Sequence, residues 1–305
     1  MTETPHPFGS TRQFEVKNYL LSQIKDLKLN PKIQDFETQV PNKKRTSLLS
    51  PLTEIKQGYN VYASLDLVEN PRCIVALASH YDTKDIEGIS YVGANDSGSS
   101  SALLLDLGRH LLKLKKEFKF TCDVFLVWFD GEESVLPNWN DGLKYELKLT
   151  DNTYGSRYFA KAVGECGENK NSGLLFSGLI LLDMVGYKDL QITLDKHSNT
   201  KLSKLLIEAS SFIGHKHVIK TNYSMAIEDD HIPFQKKGVS VLNIIDFNHP
   251  HHWHTDLDLY ETVSSNSLEI SGKLALYVLL HLAKTPDTYS ETPTPCLKNI
   301  GSPLT

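Results

Sequence analysis

The sequence predicts a single α/β domain, a mixed central β-sheet flanked by helices. Short apolar runs recur along the chain, CIVALA at 73–78, VFLVWF at 124–129, LILL at 179–182 and VSVLNII at 239–245. Runs that are apolar on both faces are the mark of central, covered strands. Segments of helical periodicity lie between and after them, at 99–114, 154–163, 201–212 and 263–282, and such alternation is the pattern of helices packed on a sheet.

Each element has its own local reason. Ser10-Thr11 precedes a segment with Phe14, Leu20, Ile24 and Leu27 at helical spacing, which reads as a capped amphipathic helix packed on the sheet. Residues 59–67 read as a further, half-exposed strand. Residues 130–153, rich in Asn, Asp, Gly and Leu and carrying Pro137 and Trp139, show no period and read as a long loop. Loops of that length inside a domain are more often functional than idle. The domain is expected to end at 284, and the Pro-rich tail 285–305 to drape over the surface or be disordered.

Composition narrows the function classes. The 32 Lys+Arg against 37 Asp+Glu give a net charge of −5, which offers no basic footprint for nucleic acid and no polybasic membrane patch. No stretch approaches the roughly 18 to 20 apolar residues of a membrane span, and Met1 to Gln13 lacks a signal-peptide pattern. A soluble monomer is expected, cytoplasmic as written, or secreted or periplasmic after loss of a leader. Cys73, Cys122, Cys166 and Cys296 are widely spaced with no CxxC pair. Cys73 and Cys122, inside apolar runs, read as small buried hydrophobes, compatible with a reducing compartment.

The chemistry collects where the apolar strands stop. CIVALA runs into Ser79-His80-Tyr81-Asp82, VFLVWF into Asp130-Gly131-Glu132-Glu133, and LILL into Asp183. In open α/β sheets ligands bind beyond the carboxyl ends of the strands, so these residues are expected to converge. Asp96, in the small-residue loop Gly93 to Ser99, and His254, in Trp253-His254-Thr255-Asp256, are further contributors. A lone Asp at a strand end is more often a cap or turn residue than a ligand. Three strand ends that all deliver carboxylate or imidazole outweigh that prior. A set of His, Asp and Glu suits zinc. In Glu132-Glu133 one carboxylate can bind metal while its neighbour stays free as general acid or base. His249, His251 and His252 read as an exposed His-rich loop.

These motifs, with Tyr154-Gly155-Ser156-Arg157, Glu228-Asp229-Asp230-His231-Ile232-Pro233-Phe234 and Trp253-His254-Thr255, resemble the zinc-dependent peptidases and cyclotransferases of the M28 type. The resemblance spans nearly the whole chain. DDHIPF and a Trp directly before the ligand His look like the glutaminyl cyclases of that family, whereas the related aminopeptidases more often carry Tyr there. The resemblance implies that Asp96, Glu133 and His254 hold one Zn2+. It implies that Glu132 shuttles protons, that Asp183 and Asp230 complete an acidic hydrogen-bond network, and that Trp253 and Trp139 wall the pocket. It departs at Asn243 and His249, where animal cyclases carry His and Phe, and at Ser79, where secreted animal enzymes carry one of a cysteine pair. The latter fits a bacterial-type or intracellular relative.

The activity implied is cyclisation of N-terminal glutamine of peptides or proteins to pyroglutamate with release of ammonia. Retention of His80 and Asp183 makes a second metal site formally available, so a two-zinc aminopeptidase is the alternative. A non-catalytic binding protein on the same scaffold is a third reading. Retention of both Glu132 and Glu133 weighs against it.

Overall fold

The four apolar runs lie side by side. β3 (Cys73–His80), β4 (Asp123–Phe129), β6 (Leu174–Asp183) and β9 (Val241–Ile245) are neighbours in the order β4-β3-β6-β9, all parallel. This computed structural model describes residues 1–47, 49–140, 150–166, 173–249 and 252–298. Their parallel run puts the carboxyl ends of all four strands at one edge, which is where the polar tails of the sequence runs must then meet. The fold class is the α/β one predicted, a single domain built on a ten-stranded mixed sheet.

Strands at either side turn antiparallel. β1 (Lys32–Pro41) and β2 (Thr53–Ser64) extend the sheet beyond β4, and β7 (Ile192–Asp195) and β8 (Ile219–Met225) beyond β9. The sequence did not mark β1, β7 and β8 as strands. β7 has only four residues, and in β8 the residues between Ile219 and Met225 are exposed, so neither leaves an apolar run.

Helices cover both faces. α1 (Thr11–Asp26), α2 (Ser100–Leu114), α4 (Thr200–Phe212) and α6 (Ser265–Lys284) share one large core with β3 and β4, while α3 (Tyr154–Phe159) and α5 (Ile232–Gln235) lie on the other side. Side-chain caps set three of the starts. Ser10 accepts from Gln13 N, Asn199 from Lys201 N and Leu202 N, and Ser264 from Ser267 N. The inward stripe of α1 is rotated from the predicted one. Gln13, Val16, Lys17, Leu20 and Ile24 are buried while Phe14 is exposed, because Gln13 reaches through the core to donate to Tyr81 Oη and to Asp130 Oδ2.

All four cysteines are paired, against the expectation for Cys73 and Cys122. Cys73–Cys122 and Cys166–Cys296 are disulfides, spanning 49 and 130 residues of chain. Sheet register is the reason the first could not be seen from spacing. Ile74 pairs with Asp123 across parallel β3 and β4, so the residues just before them face each other. The second ties down the segment that was expected to drape or be disordered. There α7 (Pro286–Tyr289) is followed by β10 (Cys296–Leu297), which pairs with both β5 (Val163–Gly164) and β6. Among the described residues no helix is long and apolar enough to cross a membrane. Residues 141–149 of the predicted loop, His251 and the end of the tail lie outside the described residues.

Candidate active site

His80 ends β3, Glu132 and Glu133 follow β4, and Asp183 ends β6. Asp96 comes from the turn Ala94–Ser99 before α2, and His254 from the loop after β9. The turn that delivers Asp96 needs glycine at its start. Gly93 sits at φ 58°, and a Cβ there would lie 2.1 Å from the Asp96 carbonyl oxygen. His254 and Met184, the latter directly after Asp183, also hold positive φ (56° and 48°). For non-glycine residues that conformation costs energy and clusters at functional sites.

The ligand-capable side chains form two groups that share Asp96. Asp96, Glu133 and His254 make one, and His80, Asp96 and Asp183 the other, each with its donor atoms within 4.8 Å of one another. His254 Nε2 lies 2.8 Å from Glu133 Oε1 and 3.5 Å from Asp96 Oδ2. The other oxygen of Asp96, Oδ1, lies 3.0 Å from His80 Nε2, which is 3.4 Å from Asp183 Oδ1. One carboxylate therefore faces both groups with different atoms.

Asp82 orders the acidic pair. Its Oδ1 accepts the N–H of Glu132 at 3.0 Å and its Oδ2 that of Glu133 at 3.2 Å. Two successive backbone donors held on one carboxylate fix the loop so that the adjacent side chains cannot exchange places. Lys84, itself buried, bonds to the Ser134 and Leu136 carbonyls and brings its Nζ to 3.8 Å from Glu133 Oε2.

Electrostatics follows from this crowding of buried acids. Burial pushes the Glu132 carboxyl well above the usual range, and Glu133, Asp229 and Asp230 add to it while His80 opposes. Burial and then Asp96 raise Asp183 to about 6, and burial and then Asp183 raise Asp229 to about 7. For His80 burial works downward, but its bonds to Asp183, Asp82 and Asp96 hold it well above its ordinary value.

A cation would suit this arrangement. His80 Nδ1, Glu133 Oε2 and Asp183 Oδ1 are buried with only long contacts, to Asp82 Oδ1 at 3.5 Å, Lys84 Nζ at 3.8 Å and His80 Nε2 at 3.4 Å respectively, and buried charge is tolerated only when paired or coordinated. The donors are nitrogen and oxygen alone, in sets of three, which fits zinc with room for a further ligand.

A cavity of about 190 Å³ opens onto these residues. Asp96, Glu132, Glu133, Asp183, Asp229 and His254 form its polar floor, and Trp139, Phe247, Trp253, Ile245, Met184 and Met225 belong to its wall. Trp253 stacks on the His254 imidazole, centroids 4.1 Å apart, and meets Phe247 edge-on at 5.1 Å.

Of the adjacent pair Asp229-Asp230, the sequence favoured Asp230, but Asp229 lines the cavity while Asp230 is fully buried behind it, near Ser156. Asn243 Nδ2 donates to Asp229 Oδ2 at 2.9 Å, which gives the departure at 243 a defined contact. His249 turns to Asp246 (2.9 Å) and packs on Tyr187, and it does not line the cavity. Sequence reasoning placed Asp82 among the converging strand ends and Asp229 in a motif without giving either a role, and it did not single out Tyr91 or Asp258.

Comparison with known proteins bears on the same residues. The model of peptidase family M28 matches residues 60–279. The glutaminyl-peptide cyclotransferase of Drosophila melanogaster is 29% identical over 83% of this chain and 70% of its own length. That of Bos taurus is 26% identical over 90% and 78%. Among solved structures, an Acidobacteriales bacterium glutaminyl cyclase superposes with TM-score 0.72 at 26% identity, covering 93% of this chain and 90% of that one. A leucine aminopeptidase precursor from Bacteroides thetaiotaomicron superposes with TM-score 0.70 at 19% identity, over 90% and 91%, and at that identity the likeness concerns the fold alone.

Proposed function

The chain belongs to peptidase family M28, and from that premise we propose that it is a zinc-dependent glutaminyl-peptide cyclotransferase acting on peptide and protein N-termini. The observation that carries this reading is the wall built by Trp253. Its ring lies flat on His254, so an apolar surface directly adjoins the ligand-capable group inside a small cavity. A glutamine side chain must curl until its γ-amide carbon meets its own α-amine, and a narrow apolar wall selects that folded conformer. The curated relatives named above carry the same activity in their names.

In this reading Asp96, Glu133 and His254 would hold one zinc ion, with His80 and Asp183 as candidates for a second. Zinc, when bound, supplies Lewis acidity to the γ-amide carbonyl and to the developing negative charge on its oxygen. The rest is the work of the chain. Glu132 accepts a proton from the α-amine as its nitrogen bonds to the γ-amide carbon, and returns a proton to the departing amide nitrogen, which leaves as ammonia. One C–N bond forms and one breaks, with no water consumed. Asp229, held by Asn243, and Asp183 line the floor beside Glu132 and orient the amine. Trp139 and Trp253 exclude water.

A two-zinc aminopeptidase is the second reading, and the His80–Asp96–Asp183 group is what favours it. Incubation with a Gln-initiated and a Leu-initiated peptide, followed by mass, separates the two. Loss of ammonia from the first alone supports the cyclase, and removal of residues from the second replaces it with the peptidase. The two disulfides support an oxidising compartment, secreted or periplasmic. Detection of free thiols in protein isolated from its native source would contradict that.

A further inference from the structure

Tyr91 touches two of the three side chains of the Asp96–Glu133–His254 group. Its hydroxyl donates to Asp96 Oδ2 at 2.7 Å, and its ring meets the His254 imidazole edge-on, centroids 5.6 Å apart at 82°. It is fully buried. The same two segments are tied a second time through Asp258, four residues beyond His254. The Asp258 carboxylate accepts the N–H of Asn95 at 2.7 Å and that of Asp96 at 3.0 Å, and its carbonyl accepts the N–H of Ala94 at 3.2 Å.

The division of contacts on Asp96 gives the hydroxyl a specific consequence. Oδ1 faces His80, whereas Oδ2 takes the Tyr91 hydrogen and faces His254. Oδ2 is thus the oxygen that belongs to the Glu133–His254 side. A carboxylate held by donors on both oxygens cannot rotate to exchange them. A phenyl ring would fill the same space against His254 without fixing that rotation. The other acceptors within reach of the Tyr91 hydroxyl, Asp258 Oδ2 and the Asp96 carbonyl oxygen, are each at 3.4 Å, so the short bond goes to the Asp96 carboxylate.

We propose that Tyr91 is a positioning residue for the metal site, its hydroxyl setting the rotation of the Asp96 carboxylate and its ring edge setting the plane of the His254 imidazole. Asp258 holds the backbone beneath both. The inference rests on Asp96, Glu133 and His254 being a metal site and deepens that reading. Hydrogen-bond partners of ligands typically govern metal affinity by about 10- to 100-fold.

The test is Tyr91→Phe in the full chain, which keeps the ring and removes only the hydroxyl. Zn2+ affinity is measured by chelator competition, and Co2+ is bound as a spectroscopic probe. The expected result is Zn2+ binding weaker by roughly tenfold or more and an altered Co2+ absorption spectrum, with the melting temperature of the metal-free protein unchanged. Wild-type affinity and an identical Co2+ spectrum in Tyr91→Phe would overturn the proposal and leave Tyr91 as packing. Tyr91→Leu, which also removes the ring edge, is expected to weaken Zn2+ binding further; should it fail to fold, Tyr91→Phe still decides. If wild-type protein binds no Zn2+, the metal reading and this inference fall together. If it binds Zn2+, loses affinity in Tyr91→Phe and yet cyclises no Gln-initiated peptide, the proposed function fails and the role of Tyr91 stands.

Discussion

His254 Nε2 sits 2.8 Å from Glu133 Oε1 although 121 residues separate the two in the chain. They approach because the loops after β4 and β9 leave the same edge of the sheet, with β3 and β6 between them. If this pair with Asp96 holds zinc, His254→Ala removes the only nitrogen donor of that group. Bound zinc is then expected to fall well below the wild-type amount and activity with it, and a chelator should abolish wild-type activity that added zinc restores. Full zinc content and full activity in His254→Ala would move the site elsewhere.

Glu132 and Glu133 are adjacent, but Asp82 holds their backbones so that only Glu133 reaches His254. Glu132→Gln preserves size and polarity and cannot accept a proton. It is expected to keep its zinc while losing turnover by the about 10²- to 10⁴-fold typical of a removed general base. Glu133→Gln is expected to lose metal. Equal metal loss in the two variants would show that the roles are not divided in this way.

The parts of the site that were legible are those where sequence pattern and topology coincide. His80, Glu132, Glu133 and Asp183 each stand at the end of an unmistakable apolar run, and parallel pairing brings such ends together without further information. Asp229 and Asp230 show the limit. They are consecutive, equally acidic and both buried, and which one faces the cavity depends on how the chain turns into α5, which no residue-type pattern records. Tyr91 lies in a loop with no period, and its partner Asp258 is far along the chain. The disulfides needed the register of β3 on β4 and the late return of β10 to β6, both properties of the assembled sheet. β8 was invisible because an exposed edge strand carries no apolar run.

Asp195, at the end of β7, braces the cavity wall from behind. It accepts the N–H of Ile227 at 3.1 Å and lies 3.0 Å from His231 Nε2. Burial works to raise its carboxyl, but His231 and the backbone donors win and hold it below its ordinary value of 3.8. A depressed carboxyl stabilises the fold above the unfolded-state pKa, and that contribution is lost as pH falls through the lower folded-state value. Asp195→Asn is therefore expected to cost about 1.5–3 kcal/mol near neutral pH. The gap from wild type in urea denaturation should shrink as pH drops from about 4 toward 2. A gap of constant size across that range would mean that the charge is not what matters.

Trp253 separates the cyclase reading from simple packing of the loop beside His254, because the two roles predict different behaviour once the ring is removed. Its stacking on His254 and its edge contact with Phe247 place the ring in the cavity wall, and the loop that carries His254 also fixes the wall. Trp253→Leu removes the flat surface but none of the side chains of the Asp96–Glu133–His254 group, so zinc content and folding should be retained. If the wall selects the curled glutamine conformer, kcat/KM for Gln-initiated peptides should fall by at least about tenfold, equivalent to roughly 1.4 kcal/mol of transition-state stabilisation. Trp253→Phe, which keeps an aromatic face on the imidazole but shortens the wall, should fall between the two. A packing role predicts the opposite pattern, with Trp253→Leu losing melting temperature or zinc while any folded, metal-loaded fraction turns over at the wild-type rate. That outcome would take Trp253 out of the substrate site and leave the shape of the cavity without an argument for a folded glutamine.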